Sequence, residues 1–89
     1  VRVLLRPNTA HPSVTVRLVL LGGSQCLTPQ TAGVELLYVR TARRGTRDHP
    51  KTRLHALLDR HGIDLGGSLS EDWTTFHLRC LQRDFDTAW

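Results

Sequence analysis

An α+β domain, an antiparallel sheet with helices packed on one face, is the fold class that this 89-residue sequence predicts. Three observations carry it. Segments 14–21 and 74–81 alternate side chains with the period of a strand. Segments 28–44 and 50–61 repeat apolar residues at spacings of three and four, the period of a helix facing a core. Glycine and proline clusters fall between these segments and mark their ends. The expected order is β-β-α-α-β-β-α.

Val1, Val3 and Leu5 alternate with Arg2, Leu4 and Arg6, which predicts a short first strand. Pro7 to Pro12 is loop, because proline cannot donate to a ladder. In the next strand Val14, Val16, Leu18 and Leu20 face one side, and Thr15, Arg17, Val19 and Leu21 the other. The second face turns apolar towards its end, so burial on both sides is expected there. Gly22-Gly23-Ser24 ends the strand. Thr28-Pro29 suits the N-cap and first position of a helix, since the N–H that proline lacks has no partner there. This helix should run to about Arg44, with Val34, Leu37, Tyr38 and Thr41 as its core stripe. Gly45 can take the left-handed conformation that closes it.

A second helix is predicted from about Pro50 to His61, capped by Asp48 or His49, with Leu54, Leu57, Leu58 and His61 on one face and Gly62 as its stop. Ile63-Asp64-Leu65 begins a strand in which Gly66-Gly67 predicts a bulge or a close backbone approach. Glu71-Asp72 belongs to the turn into the last strand. There Thr74, Phe76, Leu78 and Cys80 share one face, and Thr75, His77, Arg79 and Leu81 the other. Asp84 or Asp86 would cap a final helix.

The chain has no apolar run long enough to span a bilayer as a helix. Its net charge is +4, and eleven of its twelve cations are arginine. Arg40, Arg43, Arg44, Arg47, Lys51 and Arg53 form the densest cluster. A solvated helix face is the plain reading of such a run. Phosphate binding is the alternative, although no aromatic residues interleave the charges to stack bases. Cys26 and Cys80 lack C-x-x-C spacing, which argues against a zinc or redox motif and leaves a disulfide open. Cys80 fits a small buried hydrophobe.

Most candidate chemistry is thin. His49, His55 and His61 are six residues apart and do not return to one helix face. His55 and Asp59 do share a face, but two ligands make a weak site. His61 suits the negative end of its helix dipole, and His77 lies on the polar strand face. There is no G-x-S-x-G elbow, no Gly-Lys-Ser/Thr phosphate loop and no paired carboxylates.

One segment is more specific. Gly33 to Thr46 resembles the stretch that carries H-x-x-E-H in the insulinase/pitrilysin-type (inverzincin) zinc peptidases, written roughly G-L-A-H-L-L-E-H-M-L-F-K-G-T. Gly33 and Gly45-Thr46 match. The two metal histidines fall on Leu36 and Arg40, and the general-base glutamate falls on Val39. Strand 14–21 with Gly22-Gly23-Ser24, the unit from Asp59 to Leu65, and Glu71-Asp72-Trp73-Thr74-Thr75-Phe76 also resemble the family in order and spacing. The resemblance implies the metallopeptidase fold of LuxS/MPP-like type. In this family two α/β units make a half, and two halves close around a peptide.

Leu and Val offer no lone pair, and Arg is a permanent cation without an acceptor. The expectation is therefore a non-catalytic peptidase-like domain, not an enzyme. It would hold no metal and no other cofactor, with Leu36, Val39 and Arg40 as the emptied positions. Residues 1–89 are expected to be the N-terminal part of one such domain, cut at the start of a further helix. The implied partners are a catalytic half or subunit of a zinc peptidase and a polypeptide substrate. No membrane partner is expected, and an open sheet edge could pair copies of the chain. The rival function is a basic nucleic-acid-binding α+β module using the cluster from Arg40 to Arg53.

Overall fold

The computed structural model describes all 89 residues, Val1–Trp89. The first regular element is strand β1 (Ser13–Leu21). Helix α1 (Val34–Thr41) and helix α2 (Lys51–His61) follow. Strands β2 (Asp64–Leu69) and β3 (Trp73–Leu81) form a hairpin, and a single-turn helix α3 (Phe85–Ala88) closes the chain. The sheet is antiparallel with β3 in the centre, in the order β1-β3-β2.

Register explains the layering. Val14 pairs with Cys80, Val16 with Leu78 and Leu18 with Phe76, while Leu65 opposes Leu78 from the other side. The period of two turns all of these toward the same face. On that face Leu78 and Cys80 meet Leu54 and Leu58 of α2 and Ile63, with Phe85 and Ala88 of α3 packed alongside. Helix α1 lies over β2 and β3 on the same face, where Tyr38 meets Phe76 edge-on at 6.0 Å between ring centres. The predicted α+β class, with helices on one face of an antiparallel sheet, is the architecture observed.

Several expected details differ. Residues 1–6 form no strand and lie exposed, so the outer edge of β1 has no neighbour. Alternation supplies a strand face, but a strand also needs a ladder, and none reaches this segment. The expected burial on both sides of β1's end is absent too: Leu18, Val19, Leu20 and Leu21 are all exposed, because no layer covers the sheet there.

The first long helix is shorter than its periodicity suggests. Residues 28–33 are turns, in which Thr28 N–H donates to Thr31 Oγ1 at 2.9 Å. That side-chain bond competes with helical pairing. Gly33 then takes a left-handed φ of 87° just before Val34. At the other end Thr41 Oγ1 donates back to Leu37 O at 2.8 Å, and the helix stops.

The expected stripe of α1 is also not its buried one, although Tyr38 touches Phe76. Val34, Leu37 and Tyr38 are each more than half exposed, while Val39 is the buried residue. Helix α1 is seated by Glu35 and Val39, one turn apart, rather than by its most apolar stripe. Helix α2 matches the prediction, with Leu54 and Leu58 buried and Gly62 left-handed at φ 60°. Pro50, not Asp48 or His49, is its N-cap, and Thr46 Oγ1 accepts from His49 N–H at 3.0 Å. Gly66-Gly67 forms no bulge but stays in register with His77 and Phe76, so close approach is the alternative realised. Asp84 is the N-cap residue of α3, one of the two expected there, but its side chain makes no capping bond and is held by His61 instead.

Candidate functional site

The three positions set against H-x-x-E-H occupy consecutive turns of α1, and α1 rests on β2. Val39 fills the space above Gly67: a Cβ built there would come within 2.9 Å of Val39 Cγ1 and 3.1 Å of Phe76 Cδ1. Gly67 has an ordinary strand conformation, so the missing side chain makes room rather than relieving strain. Val39 is thereby reduced to 5% exposure.

Leu36 and Arg40, four residues apart, share one side of the helix, and both are exposed. Leu36 borders an open depression of about 390 Å³ that it shares with Leu27, Pro29, Ala32 and Leu69. The three positions therefore differ in burial: Val39 is enclosed against β2, whereas Leu36, beside Leu69, and Arg40 stay exposed.

Three hydrogen bonds fix this region. The hydroxyl of Thr74, the most buried side chain in the molecule, donates to Glu35 Oε1. This ties the first turn of α1 to the central strand. Glu35 also places a negative charge at the positive end of the helix dipole. The inward alternation of β3 marked Thr74. At the entrance, Gly22 N–H donates to Asp72 O at 2.8 Å and Ser24 N–H to Ser70 O at 2.9 Å. Gly23, with φ 54°, presses against the carbonyl of Glu71, which leaves no space for a side chain. The glycine step after β1 is thus locked to the turn between β2 and β3.

The histidines disperse. His61 Nδ1–H donates to Asp84 Oδ1 at 2.8 Å, joining the end of α2 to the start of α3. That hydrogen bond, helped by Arg83, holds the Asp84 carboxyl below the usual carboxylate range. His77 lies 3.5 Å from Asp64 on the open face of the sheet. His55 Nε2–H donates to Arg43 O at 3.1 Å, not to Asp59. No three His, Cys, Asp or Glu side chains come together as a metal-binding group. Both cysteines are free thiols, Cys26 exposed and Cys80 buried. Burial, with a smaller push from Asp84, raises the Cys80 thiol above its ordinary range.

Against this geometry the comparison with known families is decisive. The chain matches the family model described as insulinase (peptidase family M16) over residues 2–89. The chain belongs to the insulinase family. A search of the curated proteins finds no match. Membership makes this a peptidase-like domain, and it places α1 and its neighbours within an insulinase framework that spans almost the whole chain.

Proposed function

We propose that this insulinase-family chain is a non-catalytic peptidase-like domain. It supports an active half or subunit of a zinc peptidase and provides one wall for a bound polypeptide. The observation that carries this reading is the turn of α1 where relatives place H-x-x-E-H. Leu36 and Val39 bring no lone pair, and Arg40 brings a fixed positive charge that would repel a cation. Val39 is packed over Gly67 inside the fold, so a carboxylate at that position would have no water to polarise. This donor set does not fit a zinc ion.

The open edges of β1 and β2 favour the holding role. Each presents unpaired backbone groups that an extended peptide, or a second copy of the chain, can join by strand addition.

Metal analysis of the purified protein, together with a peptide-hydrolysis assay, tests the reading. The expected result is no stoichiometric zinc and no hydrolysis by the chain alone. Hydrolysis is expected only on co-expression with a partner that carries intact H-x-x-E-H. About one zinc per chain, or hydrolysis without a partner, would overturn it.

A further inference from the structure

The net charge of the chain sits in one place. Residues 40–53 hold six cations and a single acid, Asp48, for a net +5, whereas the whole chain carries +4. The other 75 residues therefore sum to −1. In the fold these fourteen residues are the end of α1, the connecting loop and the start of α2. All six cationic side chains are exposed. The ion pairs of the molecule involve His61, His77 and Arg83, and none of the six takes part.

The loop that carries Arg43, Arg44 and Arg47 is tied. Gly45 and Pro50 form an isolated bridge, Thr46 N–H donates to His49 O at 2.8 Å, and His55 holds the carbonyl of Arg43 at 3.1 Å. Arginines 43, 44 and 47 therefore project from a fixed backbone. Little ordering is left to be done on binding.

We propose that this loop is a docking surface for an acidic stretch of polypeptide. The chemistry separates it from other polyanion readers. The charges are divided among the end of α1, the loop and the start of α2 rather than set along one helix, so no single element is set to enter a DNA groove. No Phe, Tyr or Trp lies within residues 40–53, so the large aromatic platform on which successive bases stack is lacking. Five of the six cations are arginine, whose planar fork pairs two-pronged with carboxylates. The proposal deepens the holding role given above and rests on it for the choice of polypeptide. It is read by binding alone, so its failure leaves the zinc and hydrolysis results standing.

The test is fluorescence anisotropy with a labelled Glu-rich peptide of about twenty residues. A Lys-for-Glu counterpart and a single-stranded oligonucleotide of equal charge serve as competitors. The Glu-rich peptide should bind and the Lys peptide should not. Raising salt from low to about 0.5 M should weaken binding about tenfold or more. Reversing Arg43 and Arg44 together (Arg43→Glu, Arg44→Glu) should weaken it about tenfold, and the separate neutral change Arg47→Gln about two- to threefold. Reversing the exposed Arg2 and Arg6 should leave it unchanged. Any of three results would overturn the proposal: no binding of the Glu-rich peptide, equal loss on reversing Arg2 and Arg6, or an oligonucleotide that binds as tightly as the peptide.

Discussion

At the scale of single residues, the pairing of Val39 with Gly67 decides how α1 sits. An added methyl at residue 67 would meet a branched side chain that is stiff about χ1 and already enclosed. Gly67→Ala should therefore destabilise the fold by about 1–3 kcal/mol, the usual cost of overpacking. Val39→Ala on the same background should recover part of that loss, which identifies space rather than strand propensity as the cause. Denaturant midpoints of the two single variants and the double variant measure the coupling; simple additivity would mean that the residues do not touch. The Glu35–Thr74 bond makes a similar local claim. Glu35→Ala leaves the buried Thr74 hydroxyl without its acceptor and should cost about 1–3 kcal/mol. Thr74→Val should cost less, because Glu35 is only partly buried and water can reach its carboxylate.

At the scale of elements, Asp84 links the end of α2 to α3 through His61. Its folded carboxyl is held below its ordinary value, so the link contributes stability that is fully present above the unfolded carboxylate range, near pH 4. That contribution falls away as pH drops from about 4 through the folded value. Asp84→Asn should lower stability at neutral pH and flatten this part of the acid limb. Thermal melts between about pH 6 and pH 3 compare the two proteins, and parallel curves would show that the link carries no stability.

The same scale shows what the sequence could and could not convey. The strands β1 and β3 and the helix α2 were legible because periodicity and boundary glycines agreed over whole segments. Helix α1 was legible in position but not in orientation. Its stripe of Val34, Leu37 and Tyr38 is the most apolar, yet the cavity left by Gly67 and the hydroxyl of Thr74 select Val39 and Glu35. Those are contacts across more than twenty residues of chain, which local spacing does not encode. Residues 1–6 carried a strand pattern without the neighbour that a strand requires. At the site, Leu36, Val39 and Arg40 were singled out only by a resemblance in spacing. That spacing did not indicate that Val39 would be enclosed while Leu36 and Arg40 stayed exposed.

At the scale of the whole molecule, surface outweighs interior. The accessible area is 7625 Å², while a compact folded chain of 10.0 kDa exposes about 5,200 Å². The radius of gyration is 15.0 Å against about 12 Å for a compact chain of this length. Only eight residues are buried, and the core is one layer between the sheet and the helices. Isolated stability should therefore be small, and a partner covering the exposed apolar residues of α1 and β1 should add to it by mass action.

The two free thiols report this directly. Cys26 is exposed, whereas Cys80 is 3% exposed beside Leu54 and Leu58, with its thiol pushed up by burial. Alkylation should run in two phases: Cys26 at the rate of a free thiol, and Cys80 only as the core opens. Because the core is a single thin layer, the slow phase should shorten steeply on mild heating or with low denaturant, and lengthen when a partner binds. Mass spectrometry of a timed labelling series separates the two sites. Cys80 reacting as fast as Cys26 in the folded chain would mean that α2 does not close over the sheet. A slow phase insensitive to denaturant would mean that the layer is far more stable than its burial allows.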